Sequence, residues 1–306
     1  MRALVTTGDV DRPVELGDAD EPVPRPSEVL VRVEATSLNR GECRRAAAAP
    51  AGAVFGWDVV GTIRQTSPDR PELHAGARVV GLVRAGAWAE QAAVPATDVA
   101  EVPDDVSSVA AATLPVAAMT AYHALARGGL LLGRRVAVTG ATGGVGRFAL
   151  QLARLAGAHT TAIVSAPDRT EGLVDVDAVE VGLDSGGDPF DLILESVGGP
   201  LLAAAVQRIR PGGQIVSYGM SSEEATSLSA RSLYQRNAAS ISGFLLFDEL
   251  VGFGGGAATL ARLLALVADA SLDPGVSTVA DWHDAASVVR RLLDREITGK
   301  AVVEIG

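Results

Sequence analysis

The sequence predicts an α/β fold in which a doubly wound parallel sheet is joined to a second, β-rich domain. Three observations carry this. Residues 1 to about 110 hold short apolar runs broken by Gly and Pro. From Arg135 onward strand-like and helix-like segments alternate, the pattern of a parallel sheet with helices on both faces. Between them, "VTGATGGVGRFALQLARLAGA" (residues 138–158) leads a buried strand through glycines into a helix.

In chain order, "EVLVRVEAT" (residues 28–36) alternates apolar and polar residues, as a half-buried strand does. Pro22, Pro24 and Pro26 keep the approach to it extended. "DVVGTIRQT", "ARVVGLV" and "AEQAAVP" are further strand candidates, and the Ala-rich "RRAAAAPAGA" reads as a helix end or a loop. At "SSVAAATLPVAAMTAYHALARGGL" the spacing turns helical, with Ser107 or Ser108 as its start. "RVAVTG", "HTTAIVS", "FDLILES" and "GGQIVSYG" are strands of the alternating region. "GFGGG" (residues 252–256) reads as a hinge or turn, followed by a helix over 257–270, a strand near 276–280, a helix over 283–294 and a last strand, "KAVVEIG".

The 306 residues are 48% hydrophobic and 21% charged, a composition that folds around a large core. A net charge of −11 argues against nucleic acid or anionic membrane as partner. One cysteine, Cys43, permits neither an intrachain disulfide nor a cysteine-built zinc site. The N-terminus has no long apolar run and no stretch reaches membrane-spanning length uninterrupted, so a soluble cytoplasmic protein is expected. Basic residues are nearly all arginine, Lys300 being the only lysine, which suits the GC-rich coding of a bacterium.

The glycine turn carries the first chemistry. A dinucleotide fingerprint places one glycine at a tight turn, one at the pyrophosphate and one at the helix–strand contact. Gly143 and Gly146 take the second and third places, and Ala141 the first. The helix beyond offers free N–H groups to phosphates. About 20 residues further on, where an acidic residue grips the ribose of NAD, the chain reads "AIVSAPDRTEGL". Ser165 and Arg169 suit a 2′-phosphate, so NADPH is expected before NADH. Asp168 stands beside them, as a ribose ligand or as the cap of a short helix.

"PSEVLVRVEATSLNRGE", "GWDVVG", "WAEQAAVP", "LPVAAMTAYHAL", "VTGATGGVG", "FDLILESVGGPLL", "RPGGQIVSYG" and "GKAVVEI" follow one another as in medium-chain dehydrogenases/reductases. Within them the chain resembles the zinc-independent quinone oxidoreductase and enoyl reductase branch, over nearly its whole length. The resemblance implies a β-rich, GroES-like catalytic domain built from residues 1–112 and 250–306. It further implies a Rossmann domain over 113–249, with a cleft between the two. Zinc-dependent relatives place a cysteine ligand where this chain has Asn39 and a histidine where it has Trp57, and the lobe with structural-zinc cysteines is absent. The expectation is an enzyme without zinc.

Without a metal the electrophile must accept hydride readily, as a quinone or a C=C conjugated to a carbonyl does, and an enolate then needs hydrogen-bond donors. The resemblance puts Asn39 near the nicotinamide. Where relatives often have a tyrosine, the chain has Arg44, followed by Arg45; a guanidinium is a poor acid but binds an enolate or an anionic substrate group. The alternative for both arginines is a solvated loop edge. Tyr122 is another hydroxyl, or a core residue on an apolar helix. Water is a further proton source.

By the same resemblance the cofactor contacts are Thr120, Ala141, Thr142, Gly143, Gly144, Val145, Gly146, Ser165 and Arg169. Val197, Tyr218, Gly219 and Met220 follow at predicted strand ends, where ligands of open sheets bind. Gly243, Phe244 and Lys300 complete the set. His74, His123, His159 and His283 are scattered and read as structural or exposed. The leading expectation is an NADPH-dependent, zinc-free reductase of a small-molecule quinone or activated C=C bond. The alternatives are an enoyl reductase tailoring a polyketide-like intermediate, and an NADPH-binding protein without turnover. A homodimer is plausible through "ISGFLLF", a strongly apolar candidate edge strand.

Overall fold

The computed structural model describes residues 1–184 and 186–306 and divides into two compact units, Met1–Met119 with Leu250–Gly306, and Thr120–Glu249. The first segment carries β1 (Arg2–Thr6), β2 (Val14–Asp18), β3 (Glu28–Leu38), α1 (Arg40–Ala47), β4 (Asp58–Gln65), β5 (Arg78–Leu82), β6 (Gln91–Pro95), β7 (Val99–Glu101) and α2 (Ser108–Ala112). Then come α3 (Met119–Ala126), β8 (Arg135–Thr139), α4 (Gly144–Leu155), β9 (His159–Val164), β10 (Ala178–Val181) and β11 (Phe190–Glu195). They are followed by α5 (Gly199–Arg208), β12 (Ile209–Ser217), α6 (Ala230–Tyr234), β13 (Ser240–Gly243) and α7 (Leu246–Phe253). The last segment adds α8 (Ala257–Ala268), β14 (Val276–Asp281), α9 (Ala285–Leu293) and β15 (Lys300–Glu304).

In the first unit a sheet runs β14-β15-β3-β4-β5-β7, with β6 on β3 and mostly antiparallel pairs. β3 buries alternate residues Val29, Val31 and Val33, the period-two pattern its sequence predicts. These pack with Trp88, Val94, Val289 and Val303 into one core. Gly56 has φ +99°, and a Cβ there would lie 2.4 Å from the Trp88 ring, so that turn needs glycine.

The second unit is an all-parallel sheet of order β10-β9-β8-β11-β12-β13. All six residues of β11 are buried, as expected of a strand covered on both faces. The chain leaves β8 toward β9 on one side and reaches β11 on the other, which makes the C-terminal ends of β8 and β11 the topological switch point.

Four local readings are corrected. The helix expected from Ser107 onward is broken: Ser107 caps α2 by accepting from Ala110 N, and residues Leu114–Ala118 form a π-helical turn that ends at α3. Pro115 lacks the N–H a regular helix would use there. "ISGFLLF" does form an edge strand, but it ends at Gly243 and Leu246 already begins a helix. The segment around Asp168 is a run of turns without a helix for it to cap. Arg44 and Arg45, for which a loop edge was the alternative reading, lie on α1, and Cys43 is buried there. No single helix among the described residues is long and apolar enough to cross a membrane.

Candidate active site

In the second unit the site grows from the switch point. Gly140, at the end of β8, has φ +60°, and Gly143 N donates to its carbonyl at 3.0 Å. The tight turn is therefore made one residue earlier than the fingerprint's first position. Ala141 keeps an ordinary negative φ and is buried, which explains why alanine is accepted there. Gly146 lies on the turn itself: a Cβ would stand 2.4 Å from Gly140 O and 2.7 Å from Ala141 O. That contact brings the start of α4 against the strand. Its first-turn N–H groups, from Gly144, Val145 and Gly146, have no carbonyl within the helix, and the macrodipole adds positive potential. Thr142 and Gly143 are solvent-accessible at this end.

A buried carboxylate that the sequence reading missed holds the facing loop. Glu195, the last residue of β11, accepts from Val197 N at 2.7 Å and from Gly198 N at 3.0 Å. Thr139 Oγ1 donates to it at 3.3 Å and accepts from Ser196 N at 2.9 Å. Burial raises the Glu195 pKa, against these hydrogen bonds. Its acid side chain within "FDLILES" was the available signal. Val197, half-buried, is thereby fixed at the strand end.

Tyr218, Gly219 and Met220 follow β12 and line a cavity of about 650 Å³ with Gly243, Phe244 and Arg127. The first five were named from the sequence; Arg127 was not. Its guanidinium lies over the Phe244 ring at 5.2 Å, donates to Gly243 O at 3.0 Å and pairs with Glu249. Phe244 N donates to Ser217 O at 2.8 Å. Met220 is 66% exposed, while burial raises the Tyr218 hydroxyl's pKa. Ser165 and Arg169 are exposed beyond β9. Thr120 is buried on α3, and Tyr122 is half-buried there, edge-on to His123 at 5.3 Å.

In the first unit the candidates Asn39 and Lys300 meet. Lys300 is 3% exposed, and its ammonium donates to Asn39 Oδ1 at 2.7 Å and to Leu38 O at 3.3 Å. It lies 3.7 Å from Asp58 Oδ2. Asn39 Nδ2 donates to Asp58 Oδ2 at 2.8 Å and to Glu42 Oε1 at 3.0 Å, and Asn39 N reaches Glu42 Oε1 at 2.7 Å. Ser37 Oγ donates to Asp58 Oδ2 and Val116 N to Asp58 Oδ1. Two fully buried carboxylates thus share one ammonium. Burial, then the Asp58 charge, pushes the Glu42 pKa up to about 8, so Glu42 is largely protonated at neutral pH and the cluster is near charge balance. Burial likewise raises Asp58 and lowers Lys300, each partly offset by the other's charge. Neither Asp58 nor Glu42 was named from the sequence.

Arg44 is half-buried on α1, and the Arg45 guanidinium sits 5.9 Å from the Trp57 ring centre. Asn39 and Trp57 do not fit a zinc ion: the amide donates to two carboxylates and is held by an ammonium, and an indole has no acceptor nitrogen. No group of three His, Cys, Asp or Glu side chains suited to a metal occurs among the described residues.

Residues 25–104 match the model of the alcohol dehydrogenase GroES-like domain, and residues 169–303 that of the zinc-binding dehydrogenases. The chain belongs to the medium-chain dehydrogenase/reductase superfamily. It is 32% identical over 291 residues to the spectinabilin polyketide synthase system protein NorB of Streptomyces orinoci, a match to 91% of this chain. The chain spans 13% of that relative's length. Its fold resembles a mycobacterial protein solved with NADPH (TM-score 0.86, 24% identity, 99% of each chain). It also resembles the quinone oxidoreductase of Coxiella burnetii (TM-score 0.83, 22% identity, 100% of this chain and 99% of the other). The superfamily places this chain among oxidoreductases.

Proposed function

We propose that the protein is an NADPH-dependent, zinc-free reductase that delivers hydride to a quinone or to a C=C bond activated by a carbonyl. The observation that carries the reading is the switch-point turn, where Gly146 packs on Gly140 and Ala141 so closely that no side chain fits. This packing brings the α4 N–H groups to the strand end at close range, which supports a pyrophosphate as their ligand. When bound, a reduced nicotinamide supplies the hydride.

The residues divide the remaining work. The α4 N-terminus holds the pyrophosphate, and Ser165 with Arg169 takes the 2′-phosphate, which a guanidinium pairs bidentately. Met220 and Phe244 give the cavity an apolar wall against which an apolar ligand can pack. Asn39 cannot stabilise an enolate as a donor, since both its N–H groups already serve carboxylates. That leaves Arg44 and the Tyr122 hydroxyl as the donors this reading assigns, with water as the proton source when the arginine only stabilises charge. The donor set at Asn39 and Trp57 supports chemistry without zinc.

Among substrates, the 32% identity to a polyketide synthase protein favours an enoyl thioester of polyketide type over a free quinone. The test is cofactor affinity measured by fluorescence of the reduced nicotinamide. Arg169→Ala is expected to weaken NADPH binding by about tenfold or more while changing NADH binding little. Equal losses for both dinucleotides would remove the phosphate assignment.

A further inference from the structure

Arg147 follows Gly146 directly on α4, and it points away from the helix end toward the turn beyond β9. It is buried, and its Nη2 donates to Glu171 O at 3.0 Å. Gly172 has φ +72°, and a Cβ there would stand 2.1 Å from the Arg147 Cζ and 2.2–2.3 Å from both terminal nitrogens. The guanidinium therefore lies flat against the Gly172 backbone. Two independent features, a hydrogen bond and a glycine that leaves room for the cation, tie α4 to the 166–173 turn. That turn is otherwise closed by local bonds, Arg169 N to Ala166 O and Leu173 N to Thr170 O.

We propose that Arg147 is a positioning residue for cofactor choice: it pins the 166–173 turn to α4 and so fixes where Arg169 meets the 2′-phosphate of NADPH. This rests on the dinucleotide reading above. Fixing the turn before binding spares the ordering of a loop when the phosphate arrives. The pinned segment carries the 2′-phosphate partner but none of the α4 N–H groups, so loosening it weakens NADPH selectively. A purely structural arginine would, when lost, lower stability or weaken both dinucleotides alike.

The experiment measures Kd for NADPH and for NADH with the full chain and with Arg147→Met, Arg147→Lys and Gly172→Ala. Gly172→Ala tests the same contact from the other side, because its methyl must displace the guanidinium, and it serves if Arg147→Met does not fold. Expected are a loss of about tenfold for NADPH and less than about twofold for NADH in Arg147→Met and Gly172→Ala, with partial recovery in Arg147→Lys. Parallel losses, or none, in a chain that itself prefers NADPH would overturn the role of Arg147 and leave the cofactor assignment standing. A parent chain with no preference for NADPH would overturn both.

Discussion

Lys300 donates its ammonium to Asn39 Oδ1 at 2.7 Å, although the two residues are 261 positions apart in the chain. Through that bond the last strand, β15, sets the orientation of the amide that caps α1, with Asp58 as the counter-charge. Loss of the cation leaves Asp58 buried with only neutral donors, the Asn39 amide, the Ser37 hydroxyl and the Val116 N–H. Lys300→Met is predicted to destabilise the first unit by about 3–5 kcal/mol, the range for breaking a buried pair. Equilibrium unfolding in urea measures it, and a change below about 1 kcal/mol would show that the ammonium is not what holds the cluster.

Glu42 gives the cluster a pH dependence. Its pKa is 4.5 as an ordinary glutamate and about 8 in the folded chain, burial being the main cause. Between those values the folded state holds a proton that the unfolded state releases. The stabilisation is complete below the lower value and is lost as pH rises through the higher one. The melting temperature is predicted to be higher at about pH 6 than at about pH 9, with Glu42→Gln flattening that slope because its carbonyl keeps the bond from Asn39 N. Equal slopes for the two proteins would place the titration elsewhere.

Much of this was legible in the sequence and some was not, for physical reasons. The β3 alternation and the strand–turn–helix at Gly140–Gly146 are local patterns, set by period and by glycine, and they read correctly. Lys300 and Glu42 belong to residue types that stay at the surface unless paired. The partners of Lys300 arrive only through the long-range pairing of β15 with β3. Glu42 is held by the nearby Asn39, and its burial depends on the packing around α1. Glu195 lies within the expected strand "FDLILES", but its partners, Val197 N and Gly198 N, come from the turn at Gly198, where φ is +77°. Leu245–Leu246 carried β-like apolarity, yet the chain turns into α7 because the sheet ends at Gly243. Propensity in so short a run cannot choose between strand and helix.

Glu195→Ala is predicted to loosen the switch point. It strands Val197 N, Gly198 N and Thr139 Oγ1 together, at about 1–3 kcal/mol for each donor left dry. Calorimetric melting measures the loss, and Glu195→Gln, which keeps one acceptor, is expected to fall between. Water entering without a change in stability would show that the loop does not depend on the carboxylate.

Gly146→Ala places a methyl 2.4 Å from Gly140 O, backbone that cannot swing aside. The start of α4 must move off β8, at about 1–3 kcal/mol. The predicted result is a loss of dinucleotide affinity of about tenfold or more, shared equally by NADPH and NADH, since the pyrophosphate is common to both. Titration calorimetry reads it. Retained affinity would mean that the pyrophosphate does not sit on this turn.

The reductase assignment is tested most directly by following NADPH consumption by the purified protein in its near-ultraviolet absorbance, with quinones and with enones or enoyl thioesters as acceptors. The predicted result is acceptor-dependent oxidation of NADPH, faster than of NADH, undiminished by a strong zinc chelator and weakened by Arg169→Ala. Tight NADPH binding with no oxidation on any acceptor would contradict it and leave a cofactor-binding protein without turnover.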